Sequence, residues 1–358
     1  MRNLAGSHLR QADLQLSRRT VLQTGVALGL AGLILPALGG CGPEEIPENL
    51  TVAGGEPGGF YLEFSTLLAE SLQRHGVAHN AVPMTTGGSL ENIARLIAGE
   101  AHFAVALADA AVEQASAEAG PNTDHGSPGR IVALGKVYEN YVHCVVRRDS
   151  GIRTLMDLAG KTAAIGAKGS GTAFTAHRII QAAGLGGPSG GSSSSNPPSP
   201  EPMKEPAPVK ELTLGLNAGL AALREGSIDA MLWSGGVPTA AITAANGDLG
   251  LRFLDLSDLI PAMRAEFGAF YDRVLIPEGS YEGTPAVGTV GVANLLLCRR
   301  DLGDQTVTKT VELLVGHARE LIPQSSLGVQ FLSTETLINT AGVPLHPAAA
   351  ASYRRLHG

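Results

Sequence analysis

Short apolar segments, glycine-rich turns and amphipathic segments alternate along most of this chain. Short strands alternating with helices favour a parallel sheet with helices on both faces, so we predict an α/β fold. The predicted strands lie at 50–53, 78–84, 103–107, 130–137, 141–147 and 161–165, and the predicted helices at 61–75, 89–98 and 171–183.

The length of the chain predicts more than one compact unit. It has 358 residues, and a single hydrophobic core rarely extends beyond ~250–300 residues. Segment 186–208 interrupts the pattern with Ser, Pro and Gly and almost no apolar side chains. It buries too little surface to offset its ordering entropy, so we interpret it as a flexible surface insertion. An inter-domain linker is the alternative, but the patterns on both sides belong to one sheet unit.

The charge and the aromatic content exclude two classes of ligand. The formal net charge is −7, and four of the arginines lie in the first 40 residues, so the remainder is more acidic still. An acidic surface repels phosphate backbones, and we expect no nucleic-acid partner. Aromatic residues make up only 4%, which disfavours a sugar ligand that stacks on rings and favours a small polar one.

The N-terminal segment has the features of an export signal. Residues 17–23 resemble a twin-arginine motif, an apolar stretch follows over 24–38, and the sequence Leu-Gly-Gly before Cys41 resembles a lipobox. The stretch is shorter than the ~20 strongly apolar residues of a spanning helix. We predict a signal peptide over 1–40, a lipidated Cys41 and a tether over 41–48, which place the protein outside the cytoplasmic membrane. An uncleaved membrane anchor is the alternative.

Three turns that follow predicted strands carry candidate ligand-binding residues. Open parallel sheets bind ligands at the carboxyl ends of their strands, and the free N–H groups of a helix start attract negative charge. One such turn alone would be an ordinary helix cap, whereas three predict a cleft that holds carboxylate oxygens with neutral donors. The candidates are Gly55, Gly59, Phe60 and Tyr61 in the first turn, Thr86, Gly88, Ser89 and Asn92 in the second, and Lys168, Ser170, Gly171 and Thr172 in the third.

Three further candidates follow other strands. Asp109 comes directly after the strand at 103–107, and it is either a helix N-cap or a partner for a ligand ammonium group. Trp233 ends an apolar run just before a Ser-Gly-Gly-Val turn to Pro238. Core packing and a place in the pocket wall account equally well for this tryptophan.

Signals for an enzyme are weak. The chain lacks a Walker loop and a His-Glu-x-x-His stretch, and its ten histidines are scattered. A Ser170–His177 couple is conceivable, but seven helical residues separate the two awkwardly. We therefore predict no catalytic activity, no metal site and no cofactor.

Several short motifs occur in order along the chain, at 53–61, 86–92, 99–103, 169–172, 226–238, 276–292 and 344–347. Together they resemble the TAXI family of solute receptors, which serve tripartite ATP-independent periplasmic (TRAP) transporters. The resemblance implies a type II periplasmic-binding-protein fold, a monomer with two α/β lobes joined by two crossing strands. It also implies a glutamate-like or glutamine-like ligand and transporter membrane subunits as partners. Glu56 and Pro57 depart from the family pattern, and the acid argues against a dicarboxylate.

The fold implied by this resemblance fixes the remaining predictions. Lobe one would comprise 49–147 and 295–358, and lobe two 148–294. The crossing strands would contain Cys144 and Cys298 and lie side by side, so we predict a disulfide between them. Two separately buried thiols are the alternative.

Three other functions fit the same fold. A receptor for an ABC importer would differ only in its membrane subunits. A sensor for a membrane kinase would present the same closed surface to its partner. An exported enzyme would turn its ligand over, whereas a receptor would only be stabilised by it.

Overall fold

The computed structural model of the protein describes residues 46–119, 130–187, 206–323 and 332–357. The predicted signal peptide, Cys41 and most of the predicted insertion lie outside these residues. Within the described ranges, no helix combines the length and the apolar character needed to cross a membrane.

The described residues form ten strands and ten α-helices. The strands are β1 (Asn49–Ala53), β2 (Asn80–Met84), β3 (Phe103–Leu107), β4 (Ile131–Arg147), β5 (Thr162–Ala164), β6 (Lys210–Leu212), β7 (Ala230–Gly235), β8 (Leu251–Phe253), β9 (Tyr271–Ile276) and β10 (Val287–Arg299). The helices are α1 (Phe60–Arg74), α2 (Ser89–Ile97), α3 (Ala108–Ala119), α4 (Gly171–Ala182), α5 (Leu216–Glu225), α6 (Ala240–Leu249), α7 (Ile260–Phe267), α8 (Asp304–Gly316), α9 (Thr334–Leu337) and α10 (Pro347–His357).

All ten strands belong to one mixed sheet. Its main path runs β2-β1-β3-β10-β4-β7-β5-β6, while β8 pairs with β4 and β9 pairs with β10. The pairs β2-β1-β3 are parallel, and so are β7-β5-β6. The antiparallel strands β10 and β4 join these two sets, so the predicted α/β class is confirmed.

The two joining strands are long, and each pairs with different strands at its two ends. One end of β4 pairs with β10, and its other end, from Tyr141 to Val146, pairs with β7. Likewise β10 pairs with β3 through Asn294–Cys298 and with β9 through Val287–Val292. The prediction of separate strands at 130–137 and 141–147 was wrong, because the polar residues between them lie buried within one continuous strand.

Helix α1 shows how the sequence builds the core beside this sheet. Phe64, Leu68 and Leu72 repeat once per helical turn and are fully buried. They join a cluster that includes Val311 and Leu314 of α8. Burying one such side chain contributes ~1.5–3 kcal/mol, so this face fixes α1 and the turn that precedes it.

The predicted disulfide between Cys144 and Cys298 is wrong. Both residues are buried free thiols. Cys298 pairs with Val132 near the start of β4, whereas Cys144 lies twelve residues further along that strand and pairs with Leu232. Because β4 and β10 are antiparallel, their carboxyl-terminal ends lie at opposite ends of the strand pair. The alternative of two separate thiols describes the structure.

The residues that flank the predicted insertion lie next to each other. The N–H group of Val209 donates to the carbonyl of Leu185 at 2.9 Å. Immediately afterwards β6 pairs with β5 in the same sheet. This closure favours an insertion over a linker between two units.

Candidate functional site

A cleft lies where the two parallel sets of strands end. The empty space in it is about 380 Å³ including the open mouth. The residues that line it come from the starts of α1, α2 and α4, from the carboxyl end of β7 and from the middle of β4. They are Gly55, Glu56, Gly59, Phe60, Tyr61, Gly87, Gly88, Ser89, Leu107, Asn140, Ser170, Gly171, Thr172, Trp233, Ser234 and Gly235.

On one side of the cleft, hydrogen bonds orient Tyr61 and Ser89. The Tyr61 hydroxyl donates to Asn294 Oδ1 at 2.5 Å and lies 3.2 Å from Ser89 Oγ. Ser89 Oγ also accepts from the N–H group of Leu107 at 3.1 Å. Burial raises the pKa of Tyr61, so its hydroxyl keeps its proton. Both hydroxyls are thereby held at the cleft wall as neutral polar groups.

On the other side, Thr172 and Asn140 converge on Ser234. Thr172 Oγ1 accepts from the Ser234 N–H at 3.2 Å, and Asn140 Nδ2 donates to Ser234 Oγ at 3.2 Å. All three side chains are buried. Asn140 Oδ1 is also buried, and it has no hydrogen-bond partner within the described part of the chain. Such an acceptor is costly unless a bound molecule or water satisfies it.

The starts of α2 and α4 touch each other across the cleft. A β-carbon at Gly171 would lie 2.3 Å from Ser89 Oγ, and one at Gly88 would lie 3.5 Å from the Ser170 β-carbon. Gly88 also has a φ of 116°, a conformation that side chains rarely adopt. The N–H group of Glu91 donates to the Gly169 carbonyl at 3.2 Å. The two turns are therefore in close contact.

Glu56 is the charged residue among those lining the cleft. Its Oε2 accepts from the N–H group of Leu216, the first residue of α5, at 2.9 Å. Asn217 Nδ2 donates to the Pro57 carbonyl at 3.1 Å. Burial raises the pKa of Glu56, and the hydrogen bond from Leu216 partly opposes this. Its second oxygen, Oε1, is buried without a partner among the described residues.

Thr86 and Asn92, two of the predicted binding residues, do not line the cleft. Asn92 Nδ2 donates to the carbonyls of Gly54 at 2.5 Å and Val105 at 2.8 Å. Thr86 Oγ1 lies 2.5 Å from Asn92 Oδ1 and accepts from the Gly88 N–H at 3.2 Å. The pair therefore connects the ends of β1 and β3 to the second turn and positions that turn.

Asp109, another predicted binding residue, is not among the residues that line the cleft. Asp109 Oδ2 accepts from Thr175 Oγ1 at 2.9 Å and from the Tyr271 hydroxyl at 3.1 Å. Its other oxygen accepts from the Ala110 N–H at 2.8 Å. Burial raises the pKa of Asp109, and these bonds, with Arg178 at 3.9 Å, oppose that shift. Asp109 thus fastens α3 to α4 and β9.

Two other predicted residues, Lys168 and Pro238, are also absent from the cleft wall. Lys168 is exposed, and Pro238 comes after the end of β7 in the sequence and follows a cis peptide bond. Trp233 meets both of its interpretations, because it lines the cleft and packs in a core cluster. Its Nε1 donates to Thr239 Oγ1 at 3.3 Å. A β-carbon at Gly59 would lie 3.3 Å from its ring.

Two of the lining residues that sequence reasoning missed are polar residues inside strands. Asn140 lies in the middle of β4, and Ser234 lies near the end of β7, where the apolar pattern indicated core. A polar residue within a buried strand was the available signal. Glu56 and Gly87 belong to turns already singled out, and Leu107 and Gly235 end strands.

The Ser170–His177 couple gains no support from the geometry. Ser170 Oγ accepts from the Ala173 N–H at 3.0 Å and caps α4. His177 is exposed on the same helix, and its Nδ1 lies 3.0 Å from Glu211 Oε2. The two side chains therefore have separate partners.

The topology and the cleft at the strand ends define a protein class. Two α/β halves joined by two long antiparallel strands form the type II periplasmic-binding-protein fold. The chain belongs to the NMT1-like family, which it matches over residues 52–355.

Solved structures share this fold at low sequence identity. The periplasmic binding protein BugD matches with a TM-score of 0.52 and 15% identity, covering 88% of this chain and 97% of that chain. A Bordetella bronchiseptica protein matches with a TM-score of 0.51 and 12% identity, covering 88% of this chain and 100% of that chain.

Proposed function

We propose that the protein is an extracytoplasmic solute receptor for a small carboxylate, and that this ligand is an α-amino acid of the glutamate or glutamine type. The observation that carries the proposal is the meeting of three helix starts in one cleft. α1, α2 and α4 all begin at its wall. Helix starts present free N–H groups and positive dipole ends, which favour an anionic group.

The side chains at these helix starts favour a carboxylate held without a salt bridge. Ser89, Ser170 and Thr172 supply hydroxyls, while Tyr61, whose hydroxyl donates to Asn294, lies beside Ser89. Among the described residues lining the cleft, none carries a positive charge. Neutral donors at a dry helix terminus bind an oxyanion through charge-assisted hydrogen bonds.

Glu56 and Asn140 favour an amino acid over a simple carboxylate. Glu56 Oε1 and Asn140 Oδ1 are buried acceptors without partners among the described residues. A ligand ammonium group would donate to such oxygens and would neutralise the carboxylate. A ligand carboxylate in that same position would instead meet the negative charge of Glu56.

Delivery to a membrane transporter completes the proposal. The twin-arginine-type signal would export the receptor, and the lipidated Cys41 would hold it at the outer face of the membrane. The TAXI resemblance favours the membrane subunits of a TRAP transporter over those of an ABC importer. Catalysis forms no part of this function, because the nucleophile candidate caps a helix and its nearest histidine pairs elsewhere.

Ligand binding can be tested directly. Mass spectrometry of the released contents of the purified protein should find a small amino acid or carboxylate. Calorimetry should then show that L-glutamate or L-glutamine binds more tightly than glutarate, which has the same carbon chain but no ammonium group.

The outcomes separate the two parts of the proposal. If glutarate binds as tightly as L-glutamate, the carboxylate receptor stands and the role of Glu56 falls. If no member of an amino-acid and carboxylate panel binds and none co-purifies, the receptor function itself is wrong.

A further inference from the structure

Two histidines and a glutamate far apart in sequence meet on the surface beyond α1. His75 follows the last residue of α1, and His317 and Glu320 lie in the turn after α8. One ligand atom of each residue lies within 4.8 Å of those of the other two. The two imidazole rings are 3.7 Å apart and tilted by 31°.

The spacing of the donor atoms fits a single ion. Glu320 Oε1 lies 3.1 Å from His75 Nε2 and 3.2 Å from His317 Nδ1. With Zn²⁺ bonds of ~2.0–2.2 Å, tetrahedral geometry separates two ligand atoms by ~3.3 Å. Both distances are close to that value, and all three atoms lie within 4.8 Å of one another, so side-chain rotations would bring them around one ion.

The surrounding residues orient the carboxylate. Glu320 Oε2 accepts from Ser71 Oγ at 3.1 Å and from Arg74 Nη1 at 2.5 Å. Outer partners of this kind fix a ligating carboxylate in its binding orientation. His75 Nε2 lies 3.1 Å from both carboxylate oxygens, whereas His317 Nδ1 is close to Oε1. The hydrogen bond from His75, followed by those from Arg74 and Ser71, lowers the pKa of Glu320 to about 2, so it is ionised wherever imidazole is neutral.

We propose that His75, His317 and Glu320 form a site for Zn²⁺ or a similar divalent transition metal. The partly exposed side chains leave the remaining coordination position to water. The bound ion would fasten the end of α1 to the turn after α8. This site is separate from the ligand cleft, so its existence does not depend on the proposed function.

Calorimetry with Zn²⁺ on chelator-treated protein tests the site. One ion should bind per chain, and binding should weaken in acid, because a metal binds only the deprotonated form of its ligands. Zn²⁺ should also raise the melting temperature by mass action, whereas Mg²⁺ should not. Both His317→Ala and Glu320→Gln should weaken binding by about tenfold or more.

A matched control is available in another histidine–carboxylate pair. His177 is exposed beside Glu211 but is not part of this cluster, so His177→Ala should leave Zn²⁺ affinity unchanged. Circular dichroism would verify that each variant is folded. The proposal is overturned if the wild-type protein binds no Zn²⁺, or if His317→Ala and His75→Ala bind it as tightly as the wild type.

Discussion

A β-carbon at position 171 would collide with the opposite side of the cleft. In Gly171→Ala it would lie 2.3 Å from Ser89 Oγ and 2.8 Å from Leu107 Cδ1. The first distance is about 1 Å shorter than an ordinary contact, and overpacking of this kind costs ~1–3 kcal/mol. Because Ser89 and Leu107 belong to the other half of the sheet, separation of the two turns relieves the clash. We expect the two halves to close on the ligand in this arrangement, so the cost falls on the ligand-bound form.

Titration calorimetry measures this cost. A penalty of ~1–3 kcal/mol raises the dissociation constant by about five- to 150-fold, and small-angle scattering should show a more open protein in the presence of ligand. Gly247→Ala is the matched control, because its β-carbon would meet nothing within 4 Å and alanine stabilises a helix by up to ~1 kcal/mol. Unchanged affinity and unchanged scattering in Gly171→Ala would refute the assignment of the cleft contact.

Three further predictions concern buried groups. Burial lowers the pKa of His143 from 6.5 to about 4, so between these two pH values only the unfolded chain takes up a proton at this residue. The free energy of unfolding should therefore fall by about 3 kcal/mol as the pH drops through that window. Chemical denaturation at several pH values should show this fall in the wild type and in His177→Ala, but a smaller one in His143→Gln; identical slopes would contradict it. Asp109→Ala leaves three buried donors unpaired and should lower stability by about 2–4 kcal/mol, with ligand affinity little changed; an unshifted denaturation midpoint would exclude the fastening role. Cys144 and Cys298 should titrate as two free thiols in the unfolded protein without reductant. If neither thiol reacts, the two cysteines are joined by a disulfide after all.

The sequence predicted the cleft residues in turns better than those inside strands. Gly-rich and Ser-rich segments after apolar strands are a local signal, and they located the helix starts with Ser89 and Ser170 correctly at the cleft. Asn140 was missed because a polar residue at the centre of a long strand resembles a break between two short ones. Only the pairing of β4 with β10 shows that the strand continues.

The errors concern relations between distant segments. The direction of two antiparallel strands separates Cys144 from Cys298, although both precede an Arg-Arg-Asp sequence. The scattered histidines hid the cluster at His75, because its other two members lie more than 200 residues away in the sequence. Neither relation follows from local composition or spacing, since both depend on how the sheet is assembled.

The place of β10 in the sheet has a consequence for how the chain folds during synthesis. This strand is the last of the ten to emerge from the ribosome, yet it lies in the middle of the sheet between β3 and β4. Until it is made, those two strands are open edges, which favour aggregation. Pairings between segments so distant are also slow to form. The nascent chain therefore depends on protection of these edges until its final quarter has been translated.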